Sequence, residues 1–186
     1  WPDLDTVTYT LAGIANPVTG WGLAEESFAV LDRLEALGGP AWFRLGDRDL
    51  ALHLARTRRI REGERKPAAV VALGRLLGAK QTILPMTDAP VATRVQTPDG
   101  ELDFQDYFVR LRCEPRVTGF RFAGMDEARA TLEVMNALSA ADAVVFGPSN
   151  PFVSIEPILS LPGIREAIAT KPAVAVSPIV GGQALK

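Results

Sequence analysis

Two loops near the carboxyl end carry the densest run of small polar residues, Gly147-Pro148-Ser149-Asn150-Pro151 and Ser177-Pro178-Ile179-Val180-Gly181-Gly182. Ser149, Asn150 and Ser177 offer hydroxyl and amide groups, and the glycines let backbone N–H groups approach a phosphate closely. Tight strand-to-helix turns use the same residue types, so composition leaves a turn and a ligand loop both open. Near the start, Asp3-Leu4-Asp5-Thr6 sets out two carboxylates. Hard oxygen ligands of this kind hold Mg²⁺ together with substrate phosphates, or they cap the Leu4 to Leu11 segment. Gly46-Asp47-Arg48-Asp49 gathers opposite charges just before a helix. It reads as an Arg fork for an anionic or polar group, or as a cap with Arg48 solvated. Met86-Thr87-Asp88 follows a strand end and is placed to face a cleft, though Thr and Asp are ordinary turn residues.

Other residues read more plainly. His53 has no triad or metal spacing, and Cys113 has no CxxC partner. The basic cluster from Arg56 to Arg61 reads as a solvated helix face, and Trp21, Trp42, Phe104, Tyr107 and Phe108 as core or interface.

The elements that must position these residues follow from periodicity. Phe28, Leu31, Leu34 and Leu37 recur at helical spacing within Glu25 to Leu37 and stop at Gly38-Gly39-Pro40. Helices are also predicted over Leu50 to Ile60, over Ala68 to Leu77 with a stop at Gly78, and from about Asp126 to Ala140. Gln81 to Leu84, Val91 to Gln96, Glu101 to Phe104 and Val117 to Phe122 read as strands, the middle two joined across Thr97-Pro98-Asp99-Gly100. Ala143 to Phe146 and Ala173 to Val176 are continuous apolar runs, expected to be strands covered on both faces by helices. With a helix from Pro162 to Thr170 between them they form a βαβ unit of two parallel strands. Their two loops therefore emerge on one sheet edge, where open α/β sheets bind ligands.

Composition bounds the class. The 186 residues are 47% hydrophobic and 23% charged, as in one ordinary globular domain. Lys plus Arg is 20 against 22 Asp plus Glu, without the basic field that nucleic acid requires. The single Cys113 and single His53 exclude a disulfide framework and Cys- or His-rich metal sites, and a reducing cytoplasm is expected. No apolar run reaches the roughly 18–20 residues of a membrane span. The chain opens at Trp1 without a methionine and stops after Gly181-Gly182-Gln183-Ala184-Leu185-Lys186, which reads as a fragment.

Six ordered segments together resemble the 2-phospho-L-lactate transferase family of coenzyme F420 biosynthesis. They are Pro2-Asp3-Leu4-Asp5-Thr6-Val7, Leu45 to Asp49, Ile83 to Asp88, Phe104-Gln105-Asp106-Tyr107, Gly147 to Pro151 and Ser177 to Gly182. The resemblance implies a Rossmann-like three-layer α/β core with a parallel sheet, plus a smaller mixed α+β segment. Residues 1–186 then form one incomplete transferase domain, with a deazaflavin-side helical and hairpin insertion at about 20–125 and a βαβ nucleotide-binding core at about 126–186. The implied reaction moves a phospholactyl or phosphoenolpyruvyl group from a GDP-activated donor to the deazaflavin Fo, releasing GMP with Mg²⁺ assistance.

Carried over by residue, Asp5 becomes the catalytic and metal-binding carboxylate on the acceptor side. Asp47, Arg48 and Met86 join Asp5 in contacting Fo, and Ser149, Asn150, Ser177, Gly181 and Gly182 hold the donor nucleotide and phosphates. A cytoplasmic homodimer acting on small molecules, without nucleic acid or membrane, is implied. Family members also carry a Gly-Gly-Thr-Gly loop ahead of this segment and continue past Lys186, so the first phosphate loop, part of the metal site and further core strands are expected outside it. A second reading is a regulatory nucleotide-sugar-binding protein of the gluconeogenesis-factor type. That group has a Gly-Pro-Gly-Ser-Leu-Tyr-like turn where this chain has Gly147 to Pro151, and lacks Gly46-Asp47-Arg48-Asp49.

Overall fold

Pro2 has the fixed φ of a helix start and opens α1 (Pro2–Ala12), which Gly13 closes in the left-handed conformation with its N–H on the Thr10 carbonyl. The computed structural model describes residues 1–184 and divides into two units, Trp1–Pro85 and Met86–Lys186. The boundary falls inside the 20–125 stretch, and the last two residues of the 126–186 stretch lie outside the described residues.

The first unit is helical: α1, α2 (Ala29–Ala36), α3 (Asp47–Arg61) and α4 (Lys66–Leu77). Val70, Ala79 and Ile83 form its buried apolar cluster, with Leu4 and Ala12 packed against them. Each fully buried aliphatic side chain there contributes about 1.5–3 kcal/mol. Three expectations change in detail. The first predicted helix starts at Ala29 rather than Glu25, because Glu25 takes a positive φ of 52° and the next two residues serve as partners of α3. α3 begins earlier than Leu50, at Asp47. Gln81 to Leu84 forms no strand: it has no ladder partner, and Ile83 anchors it to the cluster instead.

The second unit opens with an antiparallel sheet of order β2-β1-β3, built from β1 (Ala92–Thr97), β2 (Gly100–Asp103) and β3 (Gly119–Ala123). The predicted hairpin holds, with Thr97 opposite Gly100. Beyond β3, Gly124 has φ +81°, and a Cβ there would lie 2.3 Å from the Pro90 carbonyl oxygen, so only glycine fits. α5 (Leu132–Ala140) starts later than Asp126, because the Thr131 hydroxyl accepts from the Val134 N–H and caps it.

β4 (Val144–Phe146) and β5 (Ala173–Ala175) pair in parallel, Val145 opposite Val174, as the βαβ reading requires. The connection is more broken than one helix: a π-helical turn (Pro151–Ile155), α6 (Glu156–Leu159) and α7 (Ile164–Ala169). Coverage on both strand faces is not found. Val144 and Phe146 are half-buried, but Val145 and Val174 are 69% and 63% exposed. The helices instead build their cluster among themselves, with Ala128, Leu161 and Ile164 buried beneath Met135, Leu138 and Ile168. The fold is mixed α/β with one parallel and two antiparallel sheets among the described residues.

Candidate functional site

In the first unit, α3 turns Asp49, His53 and Arg56 to one face at i, i+4 and i+7, and α1 turns Asp5 and Tyr9 toward them. Arg56 grips Asp5 with both terminal nitrogens, Nη1 to Oδ1 at 2.5 Å and Nη2 to Oδ2 at 3.0 Å, and His53 Nε2 lies 3.1 Å from Oδ2. Asp5 and Arg56 are both buried. Burial alone would raise the Asp5 pKa. Hydrogen bonds from His53 and Arg56 and the guanidinium charge outweigh it and hold the carboxyl at about 2. Tyr9, also buried, donates to Asp49 Oδ1 at 2.5 Å, and desolvation followed by this bond pushes the phenol up. Burial likewise raises Asp49.

The next layer is a pair of reciprocal caps. Asp47, at the start of α3, accepts from Ser27 Oγ and from the Ala29 and Val30 N–H groups at the start of α2. Those hydrogen bonds, Ser27 first, lower its pKa. Glu26, ahead of α2, accepts from the Arg48 and Asp49 N–H groups at the start of α3. Arg48 Nη1 donates to the Ala24 carbonyl at 3.1 Å. Asp47 and Arg48 thus lie together with Glu26 and Ala24, and Asp5 lies on the inner face of the same helix α3 through Arg56.

Met86 belongs to the second unit, where it packs on the Ala128 cluster and its carbonyl accepts from the Thr131 N–H. There the two polar loops do leave the same edge of the parallel pair, tied by the Val176 N–H to the Phe146 carbonyl at 3.0 Å. Asn150 Oδ1 accepts from the Phe152 and Val153 N–H groups and so shapes the π-helical turn. Ser177 Oγ accepts from the Ile179 N–H. The Ser149 residue is exposed, and Gly181 and Gly182, at φ 60° and 79°, form the two-residue turn between β6 (Ile179–Val180) and β7 (Gln183–Ala184). Ser149, Asn150, Ser177, Gly181 and Gly182 are therefore gathered on exposed loops of one unit.

Asp5 does not fit an open metal ligand in this arrangement. Its oxygens face a buried guanidinium, which repels a second cation, and no group of three His, Cys, Asp or Glu residues suited to a metal occurs among the described residues. His53, Arg56 and Tyr9 are the residues sequence reading missed, whereas Asp49 stands in the Gly46 to Asp49 motif. Arg56 in particular leaves the solvated cluster assigned to it, whereas Arg58 and Arg59 remain outside, paired with Glu62 and Glu64. The inward spacing of Asp49, His53 and Arg56 was the available signal.

Among the described residues no helix is long and apolar enough to cross a membrane. Comparison with solved structures finds two crystal structures of a Bacillus halodurans protein, one described as a member of the UPF0052 family. They give TM-scores of 0.60 and 0.59 at 19% and 18% identity, covering 92% and 90% of this chain and 51% and 49% of theirs. That likeness supports a Rossmann-like α/β fold. The chain is 42% identical over 180 residues to the 2-phospho-L-lactate transferase of Methanosarcina mazei, covering 97% of this chain and 59% of that protein. It is 45% identical to the phosphoenolpyruvate transferase of Thermobifida fusca and 46% to that of Streptomyces griseus, covering 58% and 59% of them. It thus spans about three fifths of the length of these curated relatives. The family described as 2-phospho-L-lactate transferase CofD matches residues 1–185, and the chain belongs to that family.

Proposed function

We propose that this chain is the part of a transferase that moves a phospholactyl or phosphoenolpyruvyl group from a GDP-activated donor to the ribityl hydroxyl of the deazaflavin Fo. The observation that carries the reading is the pair of loops on one edge of β4 and β5, whose side chains shape the turns and whose exposed backbone suits a diphosphate. Ser149, Asn150, Ser177, Gly181 and Gly182 hold the nucleotide and phosphates of the donor. Asp47, Arg48 and Met86 contact the acceptor. Asp5, locked to Arg56, acts as a positioning residue that fixes α1 against α3.

The acceptor hydroxyl oxygen attacks the phosphorus bearing the three-carbon acid, its proton is released, and the bond to GMP breaks with GMP keeping the electron pair. Such a transfer depends chiefly on alignment and on neutralising charge, which N–H donors at loop and helix starts supply. Mg²⁺ dependence and a cytoplasmic homodimer belong to the same proposal on the family resemblance.

Titrating Fo into the full protein with GDP and Mg²⁺ present, followed by deazaflavin fluorescence, tests it. Saturable binding that responds to GDP is expected. Binding of a uridine diphospho-sugar without any binding of Fo would overturn the reading in favour of the regulatory class.

A further inference from the structure

The first unit carries a short loop whose construction exceeds what a connection needs. Asn16 Oδ1 accepts from the Val18 and Thr19 N–H groups, the Thr19 hydroxyl donates to the Trp21 carbonyl, and the Asn16 and Gly20 N–H groups close the turn on the Gly22 and Asn16 carbonyls. An antiparallel bridge between Ala15 and Leu23 shuts its neck. At the tip this rigid frame presents Trp21, 56% exposed.

Other aromatic rings of this unit are occupied. Trp1 lies under Arg56 and Lys66, Phe28 under Arg44, and Trp42 sits edge-on to Phe43. Trp21 alone of the three tryptophans has no ring or cation partner among the described residues. An indole carried on a fixed backbone turn costs little backbone ordering on stacking, which is why such residues become binding anchors. The foot of the loop is held by α3: Arg48 donates to the Ala24 carbonyl, Glu25 takes the unfavourable φ of 52°, and Glu26 caps the Arg48 and Asp49 N–H groups. Strained backbone of this kind persists where surrounding contacts over-determine it.

We propose that Trp21 is the residue that stacks on the planar ring of the acceptor and selects a polycyclic aromatic acceptor. The assignment rests on the transferase reading above. Trp21→Ala should weaken Fo binding about tenfold to a hundredfold, the usual range for loss of one aromatic stacking partner. GDP affinity and the melting temperature should stay unchanged, and Trp21→Phe should retain most of the affinity. Val18→Ala on the same tip should leave Fo binding as in the wild type.

These are measured by Fo fluorescence titration and by GDP calorimetry on the full protein. Wild-type binding of Fo that survives in Trp21→Ala overturns the stacking assignment alone. Equal loss in Trp21→Ala and Val18→Ala overturns it too, in favour of a general apolar tip. A wild-type protein that binds GDP but not Fo overturns the transferase reading and the assignment with it.

Discussion

Between α1 and α3 of the first unit, Asp5 is bonded to Arg56 and His53, and Tyr9 to Asp49, in a closed, largely buried set. On the β4–β5 edge of the second unit, Asn150 and Ser177 use their side chains only to shape local turns, and the loops stay exposed. Both regions hold family motifs, yet their polar groups have different work. In the first, charge fixes helix against helix; in the second, side chains fix turns and the loops remain exposed. Motif membership by itself therefore does not separate a buried, mutually bonded polar group from one on an exposed turn; burial and hydrogen-bond partners do.

Breaking the closed set should give the largest effect. Arg56→Ala leaves the Asp5 carboxylate buried without its guanidinium partner, and removing one partner of a buried pair costs about 3–5 kcal/mol. Urea denaturation checks this, and a cost near that of a surface pair, about 0–1 kcal/mol, would mean that Asp5 is not structurally committed.

The same pair has a pH signature. The folded pKa of Asp5 lies below its unfolded value, at about 2. The stabilisation is therefore whole above the unfolded carboxylate range and disappears as pH falls through about 2. Allowing for screening, it is worth about 1–2 kcal/mol at neutral pH. Stability of wild type minus Asp5→Asn, followed from pH 7 to pH 2, should shrink toward zero at the acid end. A constant difference would assign the effect to packing.

How much of this was legible in the sequence depends on range. A local apolar period and Gly78 specify helix α4 to within two residues at its start. The hairpin at Thr97 to Gly100 and the parallel pairing of β4 with β5 were legible for similar reasons, turn chemistry and paired apolar runs. The Asp5–Arg56 clamp was not, because its partners stand 51 residues apart, and the spacing of Asp49, His53 and Arg56 marks a shared helix face without naming what it meets. The exposure of Val145 and Val174 was missed because an apolar run reports what a strand can bury, not what covers it. Composition alone places Trp21 in a core or an interface. Its exposure follows from the Asx turn at Asn16, a feature of backbone geometry.

In the open region, effects on stability should be smaller and effects on ligand larger. Asn150→Ala removes the acceptor for the Phe152 and Val153 N–H groups and should cost about 1–2 kcal/mol, as loss of a cap does. Under the proposed function it should also weaken GDP binding, read by calorimetry. A loss of stability with GDP affinity intact would confine Asn150 to shaping its turn, and would narrow the contrast between the two regions.

The smallest effect sharpens the role of the caps that join α2 to α3. A Cβ on Gly46 would lie 2.0 Å from Glu26 Cγ, so Gly46→Ala must push the Glu26 carboxylate off the Arg48 and Asp49 N–H groups. The backbone at Gly46 is extended, φ −76° and ψ 164°, and accepts alanine without strain, so the cost is that of the displaced cap, about 0.5–1 kcal/mol. A double-mutant cycle with Glu26→Ala measures it: if the clash acts through the cap, Gly46→Ala should add almost nothing once Glu26 is already truncated. Full additivity would instead place the effect in the helix start itself, leaving Glu26 as an unrelated surface carboxylate.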